Sequence, residues 1–249
     1  RMVGSSASIA GANIMLNAAV AESLREYADL LEGADNFEAA LHDLIKKTVK
    51  EHKRIIFNGN GYDDAWMREA TEKRGLLNLR TTPDAMPCLL EPKNVALLTS
   101  HKIFTESELR SRYDITLENY SKCVHIEAMT MTDMARKSIL PAVEAYTAAV
   151  ADAYLKKTAV PGVTAEYEAR TAAKLASLTE CIDRATGALE GALVEYHAVT
   201  DITAAADFIR DEILPRMAEL RAVCDEAETV TAKEYWPFPT YADLLFGVR

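Results

Sequence analysis

The sequence predicts a mainly α-helical protein whose second half forms an elongated antiparallel helical bundle. Apolar residues alternate three- and four-residue spacing in three long segments, within 124–153, 175–196 and 202–227, a pattern typical of helices that pack lengthwise on one another. At a rise of about 1.5 Å per residue, segments of about 25 to 35 residues would reach roughly 40 to 50 Å. Strand is expected only around 54–57 and at the extreme N-terminus.

The first 60 residues predict two helices and one brief extended segment. A broad apolar stripe over 9–31 stops at Gly33, which indicates a packed helix with a glycine at its end. Asp35 and Glu38 form a capping pattern that starts the second helix. Residues 54–57 include branched and aromatic side chains before the turn signal N-G-N-G, so they predict a short strand.

Prolines and a capping box divide the chain between 61 and 157. A short helix is predicted to end at Gly75, and prolines at 83, 87 and 92 limit the next stretch to short helices or turns. Thr105 and Glu108 then form a capping box that starts a long helix. Only Pro141 interrupts its pattern, so we expect a kink near that residue.

The last third of the sequence predicts the remaining bundle helices, followed by a C-terminal stretch that does not continue them. A turn is expected at 159–164, where Thr164 can cap the following helix. Gly187 and Gly191, four residues apart, could permit the close approach of another helix. The final stretch contains Pro237 and Pro239, which forbid a continuing helix.

Composition limits the classes of function. The 249 residues are 49% hydrophobic, which predicts a globular protein with a substantial core. A formal net charge of −10 argues against nucleic acid as a partner, because such a partner needs a clustered excess of Lys and Arg. No apolar run has the length of a membrane span and no signal peptide is recognisable, so we expect an intracellular, cytoplasmic protein without a membrane partner.

No catalytic signature stands out among the individual motifs. Bundle di-metal sites use E-x-x-H, and none of the five histidines has a Glu three residues before it. His125 and Glu127 are too close on a helix to share one face. The stretch G-N-G-Y-D-D resembles the start of a dinucleotide fingerprint but has Asp64 at the last glycine position, which favours a turn. Met129, Met131 and Met134 suggest either core filling or an adaptable binding surface.

Five stretches together resemble the C-terminal part of a type III glutamine synthetase. They are RMVGSSASIAGANIMLN, KRIIFNGNGY, KRGLLNLRTTPDAMP, ENYSKCVHIEAMTMTDMARKSILPAVEAY and YWPFPTYADLLFGV. The resemblance implies the C-terminal remnant of a catalytic domain in 1–120, a helical bundle insertion in 121–234 and a tail in 235–249 that returns to the catalytic domain.

The same resemblance assigns one site residue. Glutamine synthetases carry an R-x-E-x-R strand whose Glu binds a metal and whose last Arg faces glutamate and the transferred phosphate. Arg1 corresponds to that last Arg, so the chain is expected to begin inside an active-site strand. ATP and Mg²⁺ or Mn²⁺ are the implied cofactors of the full-length enzyme, and none is expected in this part alone.

The implied function is an ATP-dependent ligase that makes glutamine from glutamate and ammonia through an acyl phosphate. The isolated chain is expected to be inactive, and the full enzyme to self-associate into a ring-type homo-oligomer. The alternative is a helical interaction or oligomerisation module without catalysis of its own.

Overall fold

The computed structural model describes residues 8–247 and confirms the mainly α-helical prediction. The chain is 78% helical, and no residue of 8–247 lies in a β-strand. No helix in this range combines the length and apolar character needed to cross a membrane. The α-helices are α1 Ala10–Leu31, α2 Phe37–His52, α3 Asp64–Arg68, α4 Thr82–Ala85, α5 Pro92–Ser100, α6 Glu106–Met134, α7 Leu140–Thr158, α8 Glu166–Tyr196, α9 Ile202–Phe208, α10 Leu214–Val230 and α11 Tyr241–Phe246.

Shorter helical turns extend several of these elements. The 3₁₀ turns are Lys53–Ile55 and Met86–Leu90, and the π-helical turns are Glu69–Lys73, Ala135–Ile139 and Ile209–Ile213. The chain divides into two compact units between Tyr113 and Asp114. That division falls within α6. The three-part domain boundaries expected from the sequence stay a prediction.

Unit 1, residues 8–113, has a small core. Its buried apolar residues are Ala18, Leu98 and Leu109, and six partly buried side chains of 89–104 surround them. His101 Nε2 lies 2.6 Å from Glu22 Oε2 and links α1 to the end of α5. Hydrogen bonds from Arg25 and then from His101 lower the pKa of Glu22 to about 2.

Residues of the apolar stripe form α1, as predicted, but most of the stripe is not buried in a core as a packed helix would require. Leu16 is 66% exposed and Leu24 is 62% exposed, and Ala18 is the buried residue of this helix. The helix ends at Leu31, close to the expected Gly33, whose φ of +87° is a conformation that favours glycine. Unit 1 therefore presents a large apolar surface on α1 that nothing else in residues 8–113 covers.

The predicted strand at 54–57 is wrong. The residues after α2 continue as a 3₁₀ turn to Ile55, and Ile56, which follows, has an extended backbone conformation. A strand needs a neighbour to pair its backbone groups, and the described chain offers none. The predicted N-terminal strand lies outside the described residues.

Unit 2, from residue 114, is the antiparallel bundle. Both α7 and α10 pack along α8. Residues 159–165 join α7 to α8, and residues 197–201 join α8 to α9, which continues through the π-helical turn Ile209–Ile213 into α10. These short connections make both neighbours antiparallel to α8. With 31 residues, α8 is about 46 Å long. Its buried positions include Leu175, Leu178, Ile182, Leu189 and Ala192, which belong to the apolar pattern predicted within 175–196.

The interruption predicted near Pro141 is a π-helical turn at Ala135–Ile139. A second π-helical turn, Ile209–Ile213, precedes Pro215 in the same way. The two regions share the sequence R-x-x-I-L-P, at 136–141 and 210–215. Proline cannot donate the usual helical hydrogen bond, and each helix accommodates it by widening one turn earlier.

The helix starts show which capping predictions were right. The Thr105 box is confirmed, since the Thr105 backbone N–H donates to Glu108 Oε2 at 2.8 Å and the Glu108 N–H donates to Thr105 Oγ1 at 3.3 Å. The cap of α2 is Asn36 rather than Asp35. The residue before α8 is Ala165, without a side-chain cap, rather than Thr164.

Candidate binding cleft

Arg1, the one residue that the resemblance assigns to catalysis, lies outside the described residues. Its role as a contact of substrate or phosphate therefore stays a prediction. The described chain starts at Ser8, and α1 follows at Ala10. The candidate site that the structure does describe is a cleft in unit 1, beside α2.

This cleft has a volume of about 1000 Å³ and is lined by both apolar and cationic side chains. It is lined by His42, Ile45, Lys46, Val49, Lys50, Lys53, Arg54, Ile56 and Arg74. Ile45 and Val49 lie one helical turn apart, and so do Lys46 and Lys50, so the helix presents both kinds of side chain on adjacent stripes.

An aromatic stack contacts Arg74, one of the side chains that line the cleft. The rings of Phe57 and Trp66 lie parallel with centroids 3.7 Å apart. The Arg74 guanidinium carbon lies 4.8 Å from the centre of the Trp66 ring, a cation–π arrangement. Nothing in the sequence pattern predicts this pair, because the two residues stand nine positions apart on either side of a turn.

Arg74 ties the stack to the end of α2. Its Nη1 donates to the backbone carbonyls of Arg54 at 3.1 Å and of Ile56 at 2.8 Å. Its Nε and Nη2 donate to Glu69 Oε1 at 2.9 and 2.6 Å. One side chain therefore holds together the turn after α2, the aromatic stack and the π-helical turn that follows α3.

The turn 58–63 allows this closure. A Cβ atom at Gly59 would lie 2.7 Å from Cζ of Phe57, closer than real side chains approach, so glycine lets the ring fold over the backbone. Asn60 Oδ1 accepts a hydrogen bond from the Tyr62 N–H, and Asp63 Oδ1 caps α3. The stretch G-N-G-Y-D-D is thus a turn, as predicted, rather than a phosphate loop.

Most of the positive charge that lines the cleft has no ion-pair partner. Within residues 8–247, no carboxylate forms an ion pair with the four cations Lys46, Lys50, Lys53 and Arg54. The fifth, Arg74, pairs with Glu69. The cleft therefore concentrates positive charge in a chain whose net charge is −10, and its field attracts anions.

The lining of the cleft offers groups that bind anions. It combines Lys, Arg and His side chains with apolar ones and contains no Ser, Thr or Cys. No group of three or more His, Cys, Asp or Glu side chains in the described range could hold a metal ion.

The remaining candidates from the sequence fall in the bundle. His125 faces His197, with ring centroids 5.2 Å apart. Met131 packs against the core, whereas Met129 is 50% exposed, so the methionines are only partly core filler. A Cβ at Gly187 would lie 3.8 Å from Arg136 Nη2, and one at Gly191 would meet nothing within 4 Å, so no helix in residues 8–247 approaches either glycine closely.

Comparison with known proteins gives consistent matches. Residues 40–158 match the family model described as the glutamine synthetase C-terminal domain. A glutamine synthetase of Butyrivibrio fibrisolvens is 36% identical over 86% of this chain and 31% of its own length. A type-3 glutamine synthetase of Dictyostelium discoideum is 30% identical over 99% of this chain and 34% of its own length.

A third relative is the glutamine synthetase of Bacteroides fragilis, 28% identical over 99% of this chain and 35% of its own length. The chain thus spans about a third of the length of each curated relative it matches. The similarity covers most of the chain, including bundle helices beyond the residues that the family model matches.

Proposed function

The chain belongs to the glutamine synthetase family, and on that premise we propose that it is the C-terminal part of an ATP-dependent glutamate–ammonia ligase. The observation that carries the proposal is the alignment of 99% of this chain with a type-3 glutamine synthetase. The proposed enzyme acts in the cytoplasm on glutamate, ammonia and ATP, and self-associates into a ring.

The exposed apolar surface of unit 1 supports this proposal. A helix that stands alone at a protein surface does not present a row of large apolar side chains to water. Four residues of α1, namely Leu16, Val20, Leu24 and Leu30, are each more than half exposed. Such a surface suits a part of a catalytic domain whose other parts cover it.

The proposed chemistry gives Arg1 its role. Glutamate accepts the terminal phosphoryl group of ATP on its side-chain carboxylate, and ammonia then displaces phosphate from the acyl phosphate to form glutamine. Negative charge builds on the transferred oxygens in both steps. A guanidinium at Arg1 binds such oxygens through two parallel hydrogen bonds and stabilises that charge.

The metal ions of the proposed enzyme do not fit the described residues. Mg²⁺ and Mn²⁺ prefer several carboxylate oxygens, and the described range contains no suitable group of side chains. The proposal therefore derives no step through a metal from this chain. Its metal-binding glutamate would stand two residues before Arg1.

One observation favours the alternative function, a helical interaction module. The bundle has a continuous core of its own, which runs from Val124 to Ala227, and α8 to α11 lie beyond the matched residues 40–158. A self-contained core is what an interaction module needs. In the enzyme proposal, the same bundle serves assembly or regulation.

An assay of γ-glutamyl transfer distinguishes the two functions. The full-length protein, expressed from its complete gene, is expected to form γ-glutamyl hydroxamate from glutamine and hydroxylamine. The 249-residue chain alone is the control and is expected to form none. A folded full-length protein without transfer activity, and without R-x-E before Arg1, would favour the interaction module.

A further inference from the structure

A cavity of about 220 Å³ opens in the bundle, separate from the cleft of unit 1. It lies between the end of α6 with its π-helical turn, α10 and the tail that follows α10. Its apolar walls are Met131, Ile139, Leu220, Cys224, Trp236 and Phe238.

The tail closes one side of this cavity because the chain turns back after α10. The buried Thr231 hydroxyl donates to the Ala227 carbonyl at 2.7 Å, and the Trp236 backbone N–H donates to the Ala232 carbonyl at 3.2 Å. The rings of Trp236 and Phe238 then meet edge to face, with centroids 6.2 Å apart. Both rings pack against the core of the bundle.

The size and lining of the cavity suit one small apolar body. An apolar cavity of about 150 Å³ is large enough to hold benzene. Methionine side chains adapt to irregular shapes, and Met131 and Met134 both line this cavity. Burial, with a smaller effect of Asp225, raises the pKa of the Cys224 thiol to about 11, so the thiol stays neutral and the wall stays apolar.

The rim of the cavity carries net negative charge. Its charged side chains are Arg221, Asp225 and Glu228. Arg221 Nε lies 3.2 Å from Asp225 Oδ2, so these two compensate each other. Glu228 has no ion-pair partner in residues 8–247. Aromatic ring faces also attract cations, and two such rings form the wall.

We propose that this cavity is a binding site for a small organic amine. The aromatic or branched aliphatic body of the ligand enters between Met131, Trp236 and Phe238. Its ammonium group lies at the rim beside Glu228. The site discriminates by charge, because the carboxylate of Glu228 attracts an ammonium group and repels an anionic ligand with the same apolar body.

Calorimetric titration of the 249-residue chain with two matched probes tests the proposal. Phenethylamine carries an ammonium group and 3-phenylpropionate carries a carboxylate on a similar single-ring body. Phenethylamine is expected to bind at one site at millimolar concentration or below, at least about fivefold more tightly than 3-phenylpropionate, because an attraction is replaced by a repulsion. Absence of binding by both probes, or equal binding of the two, would overturn the proposal.

Two variants place the binding in this cavity. Glu228→Gln removes the unpaired rim charge and is expected to weaken phenethylamine binding about two- to fivefold, whereas Glu219→Gln, on the opposite face of α10, is expected to leave it unchanged. Trp236→Ala removes one wall and is expected to abolish binding, with the melting temperature as a check on folding. Equal effects of the two glutamate variants would contradict the assignment.

Discussion

At the scale of single residues, His125 shows how burial sets the charge of a side chain. Its Nε2 is buried without a hydrogen-bond partner in residues 8–247, and Tyr196 and His197 face its ring. Burial, followed by the effect of His197, lowers the pKa of His125. The folded state therefore binds a proton at this site less readily than the unfolded state, whose pKa is about 6.5.

We predict that His125 makes the bundle less stable as the pH falls. When the folded pKa lies below the unfolded one, the unfolded state takes up more protons, and the free energy of unfolding drops as pH decreases below about 6.5. In urea unfolding, the free energy of unfolding should differ less between pH 5 and pH 7 for His125→Gln than for the native chain. The exposed His42→Gln is the control, and an unchanged pH difference in His125→Gln would contradict the prediction.

Arg136 is the residue that joins two helices of the bundle through charge. It reaches from the π-helical turn to α8, donating to Asp183 and, from Nε and Nη2, to the two carboxylate oxygens of Glu190 at 3.1 and 2.8 Å. These hydrogen bonds, that of Glu190 first, raise the pKa of Arg136. Gly187 lies between the two acceptors along α8 and leaves the guanidinium room.

We predict that Arg136→Gln lowers the free energy of unfolding by about 1 kcal/mol. The side chains are 35–59% exposed, so the solvent screens these ion pairs. The two-pronged contact with Glu190 nevertheless stabilises the fold more than an ordinary surface ion pair does. Lys137→Gln, which removes an exposed pair with Asp133 in the same helix, should cost less than about 0.5 kcal/mol. Equal losses in urea unfolding would show that the Arg136 geometry adds nothing.

At the scale of elements, the capping box of α6 shows what a local sequence can predict. Thr105 and Glu108 exchange hydrogen bonds between side chains and backbone, as their spacing predicts. The box depends on four consecutive residues alone, so no tertiary contact is needed to form it.

Thr105→Ala is expected to lower the free energy of unfolding by about 1 kcal/mol, because one backbone donor at the start of α6 loses its partner. Ser107→Ala changes an exposed residue in the same turn and serves as the control, with an expected change within about 0.5 kcal/mol. A thermal or urea unfolding experiment measures both, and a loss in Ser107→Ala equal to that in Thr105→Ala would argue against the cap.

Other elements depend on contacts that are distant in sequence, and these were predicted less well. The core positions of α8 follow from apolar periodicity because a helix in a bundle has one buried face. The same periodicity in α1 predicts a helix correctly but not its environment, since Leu16 and Leu24 face solvent. Residues 54–57 have the composition of a strand, yet no strand pairs with them, and the helical turn prevails.

The candidate cleft was missed for a related reason. The formal charge of −10 is a property of the whole chain, whereas the cleft depends on Lys46, Lys50 and Lys53 falling along one side of a helix without acidic partners. Their spacing was visible in the sequence. The contact of Arg74 with Trp66 and with the backbone of Ile56 was not, because it depends on how the turn at 58–63 folds.

At the scale of the whole molecule, the proposed function makes this chain one part of a longer enzyme. We predict that the 249-residue chain shows no stoichiometric binding of Mg-ATP at millimolar concentrations in calorimetry. The sequence has no glycine-rich phosphate loop, and the described residues offer no carboxylate cluster for the metal. Tight binding of Mg-ATP at one site per chain would contradict the proposal that the nucleotide site needs residues outside this chain.

The most direct test of the central claim is the rate of glutamine formation by full-length protein carrying Arg1→Lys. The substitution keeps the charge but would lose the two-pronged contact that we propose for Arg1. Turnover should then fall roughly a hundredfold to a thousandfold, which corresponds to a loss of about 3 to 4 kcal/mol of transition-state stabilisation. Thermal unfolding, measured on the same samples, should stay at the native temperature. Near-normal turnover with native stability would contradict the assignment of Arg1 to the active site.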